Sequence, residues 1–490
     1  MGVSPISPDP ILTMSELPEG IEPAPIPKPI DAAAGIVVRR RPDRGFDVLL
    51  GRRARHARFM PGNLAFPGGK LEPDDRPERA GAFERCASRE LREETGIDVP
   101  ARAWHAAGER TTPPLFPRRF RTLFFVAELD EGASLPEELP APQEIEALTF
   151  ADPGAVLQDW ASGISLVPPP LLPILRRMHT ELAASVARLA ADIAAVNLAE
   201  EASPRIEFIP GVWVLPVRTR TLPPASCTNV WMPGGRRFVV IDPGSDDPGE
   251  NARLLAVIGR RVAGGDAVHA IVLTHHHRDH VSGVSAVASA LRVPVFAHAE
   301  TIARIPALPG GVAPRELRDG DTLDLDGATL RALHTPGHAP GHLAFFDAAR
   351  RVVFGGDLVS GLSTILVGSG DGDMDAYLDA LAAVAALEPK TVLPSHGPPL
   401  PGRALAATIA HREERERGIV AALAHGAPQD LPTIAAAAYA DAPDAPVFLR
   451  ELQTRAHLER LVRHGRIAKR GNGYWRAAGI EGMPGTSIES

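Results

Sequence analysis

Seven side chains able to ligate a metal fall in a suggestive order along the chain: His275, His277, Asp279 and His280, then His338, Asp357 and His396. The run from Ile271 to His280 starts as an apolar strand and ends in ligands. A strand end can hold two imidazoles at i and i+2 pointing the same way. Neutral imidazole nitrogens and carboxylate oxygens suit zinc and similar divalent ions, and a catalytic site keeps a coordination position for water. The chemistry implied is hydrolysis by a metal-activated hydroxide, because bound water ionises at about pH 7 instead of about 16.

A single histidine on a loop is ordinarily solvated or part of a core. Here the remaining candidates recur in one context. His338 sits in a Gly/Pro-punctuated loop between His334 and His342, after the strand-like stretch 330–333. Asp357 ends the apolar run that starts at Val352, and His396 follows the run that starts at Thr391. Each is a strand-to-loop transition ending in a metal-capable side chain.

The pattern HxHxDH, then H, D and H, over roughly residues 204–402, resembles the metallo-β-lactamase-fold hydrolases. The resemblance implies two Zn2+ ions (or Mn2+ or Fe2+). His275, His277 and His338 would hold one, Asp279, His280 and His396 the other, and Asp357 would bridge them. Asp279 and Asp357 are then the catalytic candidates. His276 and Arg278 are expected not to ligate, and His334 and His342 are expected just behind the ligands or, for His342, against substrate.

A second set of carboxylates lies nearer the N-terminus. Glu90, Glu93 and Glu94 stand at i, i+3 and i+4, on one face of an expected helix, where like charges repel. Arginines at 85, 89 and 92 could make this an ordinary solvated face. Hard cations, Mg2+ or Mn2+, held against a diphosphate are the sharper alternative. The stretch from Arg89 to Ile97 resembles the second half of the Nudix box. In the first half Asp75 stands where Glu is usual after Gly69, and the spacing to Arg89 is longer, which implies a loop insertion and a different helix entry. Glu90 and Glu93 are the catalytic candidates within the metal-binding trio. The stretch from Leu49 to Gly69 resembles the signature of Nudix enzymes that cleave coenzyme A, with Gly51 in place of the usual Thr. It offers Arg53, Arg58, Gly68 and Gly69 as substrate contacts, since arginines suit phosphates. Thr111 to Val126 also resembles Nudix relatives with an insertion in the box. The domain's remaining catalytic base is left unassigned among later acids such as Glu144 and Glu146.

The elements that must position these groups imply a multidomain α/β and α+β chain. Its 490 residues are enough for several cores, with 44% hydrophobic and 23% charged residues, as in ordinary globular proteins. The expected division is a disordered tail over 1–30, a Nudix α/β/α sandwich over 31–203, a metallo-β-lactamase αββα sandwich over 204–403, a winged helix over 404–478 and a tail over 479–490. Helices are expected over 411–425, 430–439 and 447–464, then a hairpin around the turn at Gly471, Asn472 and Gly473. The segment 411–476 resembles the winged helix appended to one subgroup of lactamase-fold proteins, which includes an endoribonuclease and thioesterase relatives.

The formal net charge of −8 argues against bulk nucleic-acid binding. Two cysteines, Cys86 and Cys227, exclude a disulfide framework and fit a reducing compartment. No signal-like or membrane-length apolar segment is evident, so a cytoplasmic location is expected. The reading is a bifunctional hydrolase of small-molecule substrates of the coenzyme A or acyl-CoA type, with thioester or ester cleavage at the metal pair. The alternatives are RNA processing with winged-helix RNA binding, or a Nudix domain that only senses a nucleotide. A basic, aromatic-lined winged helix would favour RNA, and a deep apolar channel beside the metals would favour thioesters.

Overall fold

Alternation along the strand Ile30–Arg40 sets up the first unit. Ala33 and Val37 point to one face and Ala34, Ile36 and Val38 to the other, and all five are buried. A strand with both faces apolar needs a layer on each side. The helix Ala82–Thr95 covers one face through Cys86, Ala87 and Leu91. Helices Pro153–Ala161, Leu171–Thr180 and Val186–Ala202 cover the other. Ile30–Arg40 pairs in parallel with Phe120–Leu129 and antiparallel with Phe46–Arg53 and Gly68–Lys70. The computed structural model describes residues 22–476, apart from 43–44, 57–59, 131–134, 137, 141–143, 181–182, 309–312, 369 and 425–426.

The second unit is a four-layer sandwich. One sheet runs from Arg315–Glu316 through Val295–Ala297, Ala267–Val272, Arg237–Ile241 and Cys227–Met232 to Val212–Arg218 and Ile206–Ile209. The other runs from Thr322–Asp324 through Thr329–His334, Leu343–Asp347, Val352–Gly356 and Thr391–Pro394 to Leu400–Pro401. Val239 and Ile241 face the core between the sheets, while Phe238 and Val240 face the helices Pro248–Ala263 and Val284–Leu291 outside it. The helix Met374–Ala385 covers the second sheet from its own side.

The third unit has helices Ala404–Ala422, Leu431–Ala438 and Val447–Arg463, then a hairpin of Ile467–Arg470 and Gly473–Arg476. Its order is that of a winged-helix-like fold. Ile419, Ile434, Leu458, Leu461, Ile467 and Tyr474 form its core. No helix among the described residues is long and apolar enough to cross a membrane.

Two expectations change. The tail expected over 1–30 is anchored at its end: Arg119 donates to the Pro27 carbonyl at 2.9 Å, and the first strand already includes Ile30. The first C-terminal helix begins at Ala404, ahead of the expected 411, because Leu405 is buried in the core under the second sheet. The first two units also share apolar contacts. Leu115, on a loop of the first, lies within the inter-sheet core of the second, and Phe116 packs on Phe208 with ring centroids 6.1 Å apart.

Candidate metal centre and its cleft

All seven candidates meet at one edge of the sandwich, delivered by four strand ends. His275, His277, Asp279 and His280 follow Ala267–Val272, His338 follows Thr329–His334, Asp357 follows Val352–Gly356, and His396 follows Thr391–Pro394. Gly337 has a φ of 128°, and a Cβ there would lie 2.3 Å from the Tyr377 backbone, so only glycine lets the loop bring His338 inward.

Two clusters form. His275 Nε2 and His338 Nε2 lie 2.9 and 3.0 Å from His277 Nδ1. Three nitrogens converging so closely fit a shared cation better than any proton arrangement. On the other side, His396 Nε2 is 3.4 Å from Asp279 Oδ2, and His280 Nε2 is 3.8 Å from Asp279 Oδ1. Asp357 faces both. Its Oδ1 is 3.6 Å from His280 Nε2 and 3.4 Å from His396 Nε2, and its Oδ2 is 3.5 Å from His338 Nε2. His280 Nε2, His396 Nε2 and Asp357 Oδ1 are buried with no hydrogen-bond partner among the described residues. Buried polar atoms rarely stay unpaired, so these orphans fit a bound cation. The clusters carry the donor set of a dinuclear metal site.

The back of three of the imidazoles is held. His338 Nδ1 donates to the Leu366 carbonyl at 2.7 Å and His396 Nδ1 to the Cys227 carbonyl at 2.9 Å. His280 Nδ1 lies 2.8 Å from Asp242 Oδ2. Asp242 is wholly buried, and it also accepts from Thr274 N at 2.7 Å and Thr274 Oγ1 at 2.6 Å. Such partners fix tautomer and orientation. Sequence reasoning missed Asp242, although it ends the apolar strand Arg237–Ile241 just as Asp357 ends its own. Asp371 was also missed. Its Oδ2 lies 3.1 Å from His276 Nε2 and 3.7 Å from His277 Nε2. Burial, then the neighbouring imidazoles, lowers the pKa of His275, and the same causes bring His338 to about 4. Both are therefore neutral at pH 7, the form that ligates. Burial opposes the charge on Asp279, but His280 and His396 hold its carboxyl well below the usual range.

Of the two residues expected just behind the ligands, His342 lies there without reaching substrate, and His334 does not. His342, expected against substrate, is fully buried, with Nδ1 2.8 Å from Thr335 Oγ1 and Nε2 accepting from Asp357 N at 3.0 Å. Both nitrogens are spent inside the protein, so it positions the Asp357 backbone. His334 stacks on His298 at 4.2 Å, away from the cluster.

The metal-binding edge opens into a cavity of about 470 Å3 reached by His277, Asp279, His338, Asp357 and His396. Its apolar wall includes Leu222, Ile365 and Leu366 from the sandwich and Phe448, Leu449 and Leu452 from the last helix. The C-terminal unit thus closes one side of the cleft.

In the first unit, Glu90, Glu93 and Glu94 share the helix Ala82–Thr95 but not one environment: Glu94 is 4% exposed, whereas the Glu93 side chain is 54% exposed. Glu94 accepts from Gly68 N at 3.1 Å. Burial, then the charge of Glu90, pushes its carboxyl up to about 8. A Cβ on Gly69 would lie 2.3 Å from Glu90 Oε1, so the pair of glycines lets the backbone approach the carboxylates. Arg89 donates to both Asp75 oxygens at 3.1 and 2.9 Å and also reaches Glu90 and Glu93. Asp75 is therefore an anchor for the helix. The insertion after it is wrapped around Arg85, which donates to the carbonyls of Asp75, Arg76 and Ala80. The helix enters from Gly81 at φ 78° without a side-chain cap. The charges of Arg53 and Glu144 both act on Glu94. Arg58 lies outside the described residues.

Comparison with known proteins agrees with both units. Residues 220–396 match the metallo-β-lactamase superfamily model and residues 29–167 the NUDIX domain model. A β-lactamase-like protein 2 homolog of Drosophila melanogaster is 29% identical over 203 residues, covering 39% of this chain and 67% of that protein. A lactamase-like protein, adaB, of Aspergillus niger is 30% identical over 39% of this chain and 57% of its own length. A hydroxyacylglutathione hydrolase of Bdellovibrio bacteriovorus is 30% identical over 32% of this chain and also 57% of its own length. This chain therefore spans only a little over half the length of the latter two. Among solved structures, a metallo-β-lactamase family protein of Thermus thermophilus aligns at 25% identity over 55% of this chain and 100% of that one, with a TM-score of 0.45. A NUDIX hydrolase of Alicyclobacillus acidocaldarius aligns at 23% identity over 34% and 97%, with a TM-score of 0.30. By its domains the chain is a hydrolase, a Nudix domain fused to a metallo-β-lactamase-fold domain.

Proposed function

We propose that the central cleft hydrolyses a thioester or related ester and that the Nudix domain cleaves a nucleoside diphosphate-linked substrate of the coenzyme A kind. The observation that carries the first half is that the His/Asp clusters open onto a cavity with an apolar wall, large enough for an acyl group. His275, His277 and His338 would hold one ion, Asp279, His280 and His396 the other, and Asp357 would serve both. Ions bound there supply Lewis acidity and a nucleophile from water at neutral pH.

The chain's own residues do the rest. Asp242, the Leu366 carbonyl and the Cys227 carbonyl hold three imidazoles in the tautomer that turns a bare Nε2 to the centre. His342 fixes the Asp357 backbone, and the apolar wall removes water from around the acyl group. The hydroxyacylglutathione hydrolases among the relatives favour a thioester. Phe448, Leu449 and Leu452 of the last helix also line the cleft, which suits an acyl group.

In the Nudix domain, Glu90, Glu93 and Glu94 would hold Mg2+ or Mn2+ against the substrate's phosphates, and Arg53 and Arg58 would bind their charge. Incubating the full chain with Mn2+ or Zn2+ and acyl-CoAs, coenzyme A and short RNAs, and weighing the products, tests the proposal. Free thiol with acid, together with 3′,5′-ADP with phosphopantetheine, supports it. Shortened RNA in place of free thiol overturns the first half.

A further inference from the structure

The cleft carries an imbalance of charge that ester chemistry alone does not explain. Among the residues lining the cavity the acids are Asp279 and Asp357, both claimed by the metal clusters, whereas the cations are Arg220, Arg412, Arg415 and Arg450, with His411 beside them. Arg415 is neutralised by Asp441 at 2.8 and 3.1 Å and lies over the Tyr439 ring. Arg412 has no ion pair among the described residues, and its guanidinium lies 5.3 Å from the centre of the Tyr377 ring. It is 2% exposed, donates through Nη1 to Gln453 Oε1 at 3.0 Å and through Nη2 to the Ile365 carbonyl, and leaves Nε buried without a partner. None of these acceptors carries charge. The side chains of Arg450 and Arg220 have no ion pair or hydrogen bond among the described residues.

Arg450 and Gln453 stand at i and i+3 on the helix Val447–Arg463, so they share a face, and Gln453 binds Arg412 from the neighbouring helix. Arg450, Gln453 and Arg412 therefore form one patch on the wall contributed by the C-terminal unit. A guanidinium stays ionised at any physiological pH, and burying one without a counter-charge is costly unless an anion arrives to meet it.

Resting on the ester or thioester reading above, we infer that this wall is an anion subsite and that the substrate is an acyl ester or thioester with a carboxylate or phosphate in its leaving portion. The metal edge takes the acyl bond, the side chains of Leu449 and Leu452 cover the apolar stretch, and Arg450 with Arg412 receives the charge. The C-terminal unit is then the specificity element of the central site.

The test compares acetyl-CoA (phosphates), S-acetylglutathione (carboxylates) and S-acetyl-N-acetylcysteamine (uncharged), scored by thiol release so that Nudix cleavage of the coenzyme is not counted. The subsite predicts a KM about tenfold or more lower for an anionic thioester than for the uncharged one. Arg450→Gln should collapse that ratio towards one, and Arg450→Lys should keep much of it. Preference for acetyl-CoA assigns a phosphate, and preference for the glutathione ester a carboxylate. Equal KM for charged and uncharged esters, or a ratio untouched by Arg450→Gln, overturns the subsite while leaving the hydrolase reading standing. Should no thioester be cleaved, that reading fails, and calorimetric binding of the S-ethyl thioethers of the same three thiols decides the subsite alone. An affinity for the anionic thioethers that weakens about tenfold in Arg450→Gln supports it, and an unchanged affinity overturns it.

Discussion

Ligands alone do not make a metal site, and the buried carboxylate behind His280 illustrates why. Asp242 Oδ2 lies 2.8 Å from the outer nitrogen of His280, and Thr274 holds the same carboxylate through two hydrogen bonds. Asp242→Asn offers an amide that can turn a donor towards the imidazole, favouring the wrong tautomer. It should weaken the ion shared by Asp279, His280 and His396 about 10- to 100-fold, as read by chelator competition, while circular dichroism stays unchanged. Wild-type affinity would show that Asp242 is only structural. Glu94 allows a second test. Its carboxyl is pushed up to about 8, so it is mostly protonated at pH 7, whereas a cation needs the ionised form. Affinity for Mn2+ or Mg2+ in the Nudix domain should therefore rise with pH up to about 8 and level off above it, with close to one proton released per ion at pH 7. Calorimetry in buffers of different ionisation enthalpy reads this directly, and Glu94→Gln should abolish the release. The ligands were legible in the sequence because each follows an apolar strand run. The groups behind them were less so. Leu366 and Cys227 act through backbone carbonyls that leave no mark in side-chain identity, and Asp371 comes from a loop without a motif.

That loop, between the strand Val352–Gly356 and the helix Met374–Ala385, is the element on which the first metal cluster depends. It supplies the Leu366 carbonyl to His338 and Asp371 to His276 and His277. The C-terminal helices grip it from outside. Gln453 Nε2 donates to the Ile365 carbonyl at 2.8 Å, one residue before the carbonyl that orients His338, and Arg412 donates to the same oxygen. Further on, Arg463 reaches Asp373 and Asp375, and Arg460 reaches Asp375 and the buried Glu416. Gln453→Leu removes the donor at similar size. It should loosen the ion at His275, His277 and His338 roughly tenfold and perturb its Co2+ absorption spectrum, with the other ion unaffected. An unchanged spectrum would mean that the loop holds its shape without the C-terminal unit. The hairpin and three helices of that unit followed from turn residues and apolar spacing. Its docking did not, because charged pairs such as Arg460 with Asp375 join segments far apart in sequence.

At the scale of the whole molecule, the Nudix domain and the metal domain are not independent beads. Leu115 is buried in the core between the two sheets, and rings run from Phe116 through Phe208 and Trp231 to Phe354, three residues before Asp357. Arg176 of the first unit also donates to the buried Glu207 of the second at 2.9 Å. Leu115→Ala should cost about 2–5 kcal/mol and lower the melting temperature of the metal domain, although the residue belongs to the other. Hydrogen exchange in the strand Val352–Gly356 would report the loss. The sequence could not show this contact, since Leu115 sits in a Pro-rich loop with no periodicity. The central claim is that the His/Asp cluster cleaves an acyl thioester. Thiol release by the full chain, compared between the wild-type protein and Asp357→Asn with metal content measured on both, tests it most directly. The account predicts about two transition ions per chain and steady thiol release in the wild type, and a folded Asp357→Asn protein slower by about 100-fold or more. Release at the wild-type rate from Asp357→Asn, or from protein stripped of its metals, would contradict it.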